Sequence, residues 1–378
     1  MRVAIIGGGV LGASTALHLA HAGADVVLVD AALDGRATAA GAGIVCPWVS
    51  GADDGPFYQL YAGGARYYPE LVTLLGARGE HDLGYARVDG LCVSDDATEL
   101  DFIADHVRAR AAEDPVAGEV RRVSATEARA LFPPLRAGLA GVLVTGGARV
   151  DGRLVTAALW RAARGRGADL REGIAELTLS DRRVAGVRVA GETLTADAVV
   201  VAAGAWAPAL LRPVGMALPV APMRGQIVHL RLPGADTAAW PVVLPMSEHY
   251  LLAFEGSRVV VGATREVGVG FDYRVTAAGQ AEVLQHALHV APGLGEATVI
   301  ETRIGFRPAS ADGLPLLGAV RGVDGLYVGN GLGAVGLTIG PFAGRLLADQ
   351  VLGREPAMDL RPFDPLRRTR PVPDRGDR

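Results

Sequence analysis

The stretch that most constrains this chain is VAIIGGGVLG, residues 3–12. It reads as an apolar helix, as the core of a secretion signal, or as a buried strand that turns sharply into a helix. A secretion signal needs a positively charged lead and a cleavage site after its apolar core. Here one arginine precedes the run, which continues through VLGASTALHLAHAG into a second apolar run, DVVLVD, ending at Asp30. Strand, glycine turn, helix and strand together open a βαβ unit. Gly7, Gly9 and Gly12 fill the three places of G-x-G-x-x-G. The first permits the tight turn, the second lets a pyrophosphate reach the backbone, and the third lets helix and strand approach. Val10 and Leu11 begin the helix, whose N-terminal N–H groups would face the phosphates. Asp30 closes the second strand, where an acid can accept hydrogen bonds from a ribose diol. A dinucleotide follows from this pattern; NAD or FAD does not.

Composition narrows the classes. The chain has 378 residues, half of them hydrophobic, and a net charge of -4. It has room for two domains and no general basic field for nucleic acid. All 37 basic residues are arginine, which excludes a Schiff-base or P-loop lysine. Cys46 and Cys92 have no CxxC partner, and no Cys/His cluster has metal spacing. No metal is therefore expected, and a reducing cytoplasm is the natural compartment. No apolar run is long enough to span a membrane; the longest, Ala198 to Leu211, is broken by Gly204 and Pro208. Nothing in the sequence sets an oligomeric state.

Further along, helical spacing covers Phe57 to Gly79 and recurs in GRLVTAALWRAARG, while ADAVVVAAGAWA reads as a buried strand and a glycine turn. From Val214 to about Ile300 the strands recur: GQIVHLRL, YLLAF and RVVVGAT. GLYVGNGLGAVGLTIGPFAGRLLADQVLG reads strand, glycine-rich turn, long helix. The expected fold class is α/β. A Rossmann-like domain (1–82, 140–213 and 302–365) is interleaved with a substrate domain of antiparallel sheet plus helices (83–139 and 214–301). Residues 366–378 read as a mobile tail.

RATAAGAGIV, ADAVVVAAGAWAPAL, PMRGQIVHL, HYLLAFEGSRVVVGAT, GFRPASADGLPLLG and GNGLGAVGLTIGP follow one another along nearly the whole chain. In that order they resemble the D-amino acid oxidase superfamily of FAD-dependent amine oxidases. Glycine oxidase and its sarcosine- and D-amino-acid-oxidising relatives look nearest. The resemblance implies FAD with Asp30 at its ribose. Arg36, Thr38, Ala42, Gly43 and Ile44 would lie along the pyrophosphate and flavin edge. Ala175, Gly204 and Trp206 would lie near the dinucleotide. Gly333, Ala334, Val335, Gly336, Leu337 and Thr338 would present N–H groups to the flavin's pyrimidine end. Some relatives link flavin to a cysteine beside this signature; Gly305 and Phe306 stand there, so non-covalent FAD is expected.

The same resemblance places Arg307 as the residue that binds a substrate carboxylate, with Tyr250 closing the pocket and donating to that carboxylate. Two departures stand out: Leu332 replaces the histidine of the family's glycine-rich loop, and Ala334 replaces a second basic residue found in some glycine oxidases. Arg265 falls where those relatives have an apolar pocket residue. Either it ends its strand in solvent, or it faces the flavin and the pocket holds a second carboxylate. His18 and His21 read as surface or packing residues, and His249 has no nucleophile to pair with.

The implied reaction oxidises the C–N bond of glycine, an N-substituted glycine or a D-amino acid. Hydride passes to flavin N5, the imine hydrolyses, and O2 reoxidises the flavin to give H2O2. A specialised biosynthetic variant would release an amine or β-amino acid from an N-carboxymethyl precursor. Alternatives are a D-amino acid dehydrogenase passing electrons to a carrier, an NAD-dependent dehydrogenase, and a non-catalytic flavoprotein subunit.

Overall fold

The computed structural model describes residues 1–368. Its first layer is a six-stranded sheet in the order Leu316–Ala319, Leu326–Asn330, Ala198–Val201, Arg2–Ile6, Asp25–Asp30, Asp169–Glu172. All neighbours are parallel except the pair at the Leu316–Ala319 edge. Val3, Ala4, Ile5 and Val26 to Val29 are buried almost completely, as strands covered on both faces must be. The helix Val10–His21 packs between Gly152–Arg164 and Gly336–Val351. Three distant stretches of sequence thus build one layered unit.

The second layer is an eight-stranded sheet. Its order is Thr298–Ser310, Val220–Arg231, Arg258–Gly262, Tyr250–Phe254, Val242–Pro245, Gly90–Ser94, Ala140–Val144, Val120–Val123. Two expectations meet a different outcome here. Ala140–Val144 pairs with Gly90–Ser94 and Val120–Val123 in this sheet, so a division at 139/140 falls before a strand of the second layer. The division at 301/302 falls inside the continuous strand Thr298–Ser310, which pairs along its length with Val220–Arg231. Its far end also bridges to the first layer, where the Phe306 N–H donates to the Gly35 carbonyl at 2.8 Å.

Within 214–301, where sheet plus helices were expected but only strands were located, the helix is Ala277–Val290. Thr276 caps it by accepting from the Gly279 N–H at 3.2 Å. Val283, Ala287 and Val290, spaced four and three apart, are buried on the side that packs against Val220–Arg231 and Arg258–Gly262. Most of the expected tail, residues 369–378, lies outside the described residues. Before it, Arg367 pairs with Asp312 at 2.7 Å and donates to the carbonyls of Leu314 and Pro315. The anchored chain therefore runs past the boundary expected at 366.

Gly12 shows how tightly the opening unit is closed. A Cβ added there would lie 1.9 Å from the Gly7 carbonyl oxygen. Helix and strand must part to admit it, and overfilling of this kind costs about 1–3 kcal/mol. Gly12→Ala is expected to lower the urea midpoint of unfolding and weaken cofactor retention, measured by intrinsic fluorescence and by absorbance after gel filtration.

Candidate active site

The glycine turn is held by the carboxylate of Asp30. Its Oδ2 accepts from the Gly8 N–H at 2.6 Å; its Oδ1 accepts from the Ala32 N–H at 2.8 Å and from Arg36 Nη1 at 3.0 Å. Trp160 adds a bond from its indole N–H to the Gly8 carbonyl at 3.0 Å. Gly7 has φ +105°, and a Cβ there would lie 2.4 Å from the Ala202 carbonyl oxygen, so glycine alone fits this corner. Asp30 thus fixes the turn as well as facing the cavity beyond it.

That cavity has a volume of about 1160 Å³. It runs from Ile174 and Ala175, past the C-terminal ends of the parallel strands, to Tyr250 and Arg307. In sheets of this type ligands bind at those strand ends. Of the cofactor-motif residues, Gly12 and Thr338 do not line it, Gly12 serving the helix–strand contact expected of the third glycine. Gly12 packs on Gly7, and Thr338 is 1% exposed and donates to the Ile44 carbonyl at 2.8 Å. The others reach the cavity wall: Gly7, Gly9, Val10, Leu11, Asp30, Arg36, Thr38, Ala42, Gly43, Ile44, Ala175, Gly204, Trp206 and Gly333 to Leu337.

The wall suits a dinucleotide. Two helices, Val10–His21 and Gly336–Val351, begin on it, and their first N–H groups have no intrahelical acceptor. Such ends favour anionic oxygens. Gly204 and Gly333, both at φ +52°, have open space where a Cβ would stand. The backbone at these points leaves room for a ligand to approach closely.

Arg307, Tyr250 and Arg265 meet at the other end. The strand register sets Arg307 opposite Met223 and brings its guanidinium over Gly225. A Cβ on Gly225 would lie 2.6 Å from Arg307 Nη1. Arg307 Nη1 donates to the Thr264 carbonyl at 2.9 Å. Burial pushes the Arg307 guanidinium below its ordinary pKa; Tyr250 opposes this and the Arg265 charge adds to it. Burial pushes the Tyr250 phenol up to about 12, against the pull of Arg307 and Arg265. Its O–H therefore stays a donor at any working pH.

Arg265 turns toward this cavity and pairs with Glu248 through Nε and Oε2 at 2.6 Å; the two side chains are 40% and 70% exposed. His249 stacks on His286 with ring centroids 3.7 Å apart, and burial holds its pKa near 4, with His286 and Arg265 adding to the shift. His18 and His21 stay away from the cavity: His18 bonds Tyr67 at 2.7 Å, and Arg78 bonds His21 at 2.9 Å. Cys46 lines the cavity but is buried, which raises its thiol pKa, so it is unreactive.

A polar network behind the site escaped the sequence reading. Arg224 pairs with Glu266 and, at 2.8 Å, with Asp272. Gln226 Nε2 and Thr264 Oγ1 donate to Glu266 at 2.8 and 2.7 Å. Together they fix the segment that supplies the Thr264 carbonyl to Arg307. Two long polar side chains two residues apart on an apolar strand were the available signal. Glu248 gave none, being one acid in a polar turn.

Known proteins place the chain. Residues 2–350 match the family described as FAD dependent oxidoreductase, abbreviated DAO. An uncharacterised oxidoreductase of Bacillus subtilis, YurR, is 48% identical over 96% of this chain and 97% of its own length. The solved iminodiacetate oxidase (IdaA) of Chelativorans sp. BNC1 superposes with TM-score 0.94 at 53% identity, covering 96% of this chain and 99% of that one. The solved glycine oxidase of Geobacillus kaustophilus gives TM-score 0.86 at 30% identity over 98% and 100%. The chain belongs to the DAO family of FAD-dependent oxidoreductases, which settles the open choice between NAD and FAD. Among the described residues no helix is long and apolar enough to cross a membrane.

Two outcomes are expected from this geometry. Gly225→Ala displaces Arg307 and weakens acetate binding about tenfold, read from the flavin absorbance change, while the far-ultraviolet dichroism is kept. Acetate binding to the wild type stays flat from about pH 7 to about pH 10, because a phenol with its pKa near 12 keeps its proton there. A falling limb inside that range, lost in Tyr250→Phe, would contradict the assignment of a buried donor.

Proposed function

We propose that this protein oxidises the C–N bond of an N-carboxymethyl amino acid, a secondary amine with two carboxylates, of which iminodiacetate is the simplest. The observation that carries this reading is that two guanidinium groups, Arg307 and Arg265, line one cavity together with the Tyr250 phenol. The similarity to an iminodiacetate oxidase and to glycine oxidases supports it.

Arg307 offers two parallel N–H donors to one carboxylate, and Tyr250 donates to the same group. Held in this way, the carbon beside the nitrogen has one orientation in the cavity. Arg265 receives the second carboxylate. His249, neutral at working pH, adds no further charge beside the two guanidiniums. The amine enters unprotonated, so its lone pair forms the C=N bond as hydride leaves the adjacent carbon. Bound FAD supplies the two-electron acceptor. Water then adds to the imine, and the C–N bond breaks to give glyoxylate and a primary amine. With an N-carboxymethyl β-amino acid the same step releases the free β-amino acid. Dioxygen is the proposed terminal acceptor, giving H2O2, with small molecules as the only partners.

The purified protein is expected to be yellow and to lose its colour without oxygen when iminodiacetate is added. Air should restore the colour with one peroxide formed per turnover; colour that returns only with an artificial carrier would make the protein a dehydrogenase. Arg307→Ala should remove turnover of every amino acid. Arg265→Ala should cost about tenfold in kcat/KM for iminodiacetate, the scale of losing a charge-assisted contact at a partly exposed guanidinium, and little for glycine. Equal effects of Arg265→Ala on both substrates would sink the dicarboxylate reading.

A further inference from the structure

Glu248 lies in the turn between the strands Val242–Pro245 and Tyr250–Phe254, and Arg265 follows the strand Arg258–Gly262. Their ion pair, at 2.6 Å, joins two loops at the substrate end of the cavity, and both residues line it. Among the described residues Glu248 pairs with no other cation. The neighbouring carboxylates differ. Glu266 and Asp272 are held by the buried guanidinium of Arg224, and Glu266 also accepts from Gln226 and Thr264. Those two are fixed parts of the wall. Glu248, 70% exposed and held by one contact, belongs to the weak class of ion pairs.

We propose that Glu248 is a specificity-determining residue: its carboxylate occupies Arg265 until the second carboxylate of the substrate takes its place. The inference rests on the reading that Arg265 receives that second carboxylate. Glu248 is the internal competitor at the same guanidinium. A monocarboxylic amine leaves the pair closed, so Arg265 does not draw the only carboxylate away from Arg307. A dicarboxylic amine exchanges a half-solvated partner for one that is already positioned by Arg307, and the exchange costs little. The freed Glu248 turns to water.

The test uses the FAD-loaded protein and oxydiacetate, an inert dicarboxylate in which oxygen replaces the reacting nitrogen. Its dissociation constant is read by calorimetry in wild type, E248Q, R265M and the double variant. E248Q is expected to tighten oxydiacetate about threefold, the scale of a half-exposed ion pair, and to lower KM for iminodiacetate in parallel. It should also make acetate a better inhibitor of glycine oxidation, because a free Arg265 now captures monocarboxylates. In the R265M background most of that tightening should vanish, leaving only the smaller action of the Glu248 charge on Arg307. Tightening that persists there in full would show a general field effect and overturn the proposal. Unchanged or weaker binding in E248Q alone would also overturn it, by making Glu248 inert or a support for Arg265. The underlying reading fails separately, if R265M binds oxydiacetate as well as wild type.

Discussion

Gly225 and Gly305 face each other across the ladder between Val220–Arg231 and Thr298–Ser310. Neither strand can carry a side chain at that point. On Gly225 it would strike the Arg307 guanidinium, and on Gly305 it would lie 2.7 Å from the Ala40 Cβ. The bare backbone there lets two layers with separate cores touch. It also lets one strand present Arg307 to the substrate end while the preceding Phe306 meets Gly35 and Arg36 of the first layer. Phe306, fully buried, meets Phe271 and Tyr273 edge-on and bonds through its backbone to Gly35. A one-residue slip in this register would turn Arg307 to the other face of the sheet.

Two kinds of charge surround the substrate end, and their burial decides what each does. The Arg224–Glu266 pair is deep and saturated with hydrogen bonds. Burial works against the Glu266 charge, but the bonds from Arg224, Gln226 and Thr264 outweigh it and hold the carboxyl below its usual range. Removing Arg224 would leave Glu266 and Asp272, two neighbouring carboxylates, without their shared cation, which is expensive. The Arg265–Glu248 pair is half in solvent, where attraction between opposite charges is weak. The first pair is scaffold and the second is adjustable, although Arg265 and Glu266 are adjacent in sequence.

Much of the fold was legible because its signals are local. The glycine turn and Asp30 sit within one βαβ unit, and the helix Val10–His21 and the strand Ala198–Val201 follow from short apolar periods. The helix Ala277–Val290 was missed because its apolar face has only a few residues and it lies among strands. The strand Thr298–Ser310 runs across the boundary expected at 302, because local patterns do not reveal a strand that touches two layers. At the site, motif positions put Arg307, Tyr250 and Arg265 on a common cavity. The Thr338 hydroxyl donates to the Ile44 carbonyl, a pairing between residues far apart in sequence that no motif announces. Glu248 was invisible for a similar reason, and of the Arg224 network only Arg224 and Gln226 showed in the sequence, because the meaning of such residues lies in what they touch.

Asp30 carries a consequence for how the protein holds its cofactor. Its buried carboxylate already accepts from Gly8, Ala32 and Arg36, so no stranded charge waits for a ligand to neutralise it. The phosphate turn holds its shape on its own account. The carboxylate expected at the ribose is thus also the pin of the turn, so a substitution at Asp30 would be felt twice, in the shape of the glycine corner and in the grip on the nucleotide.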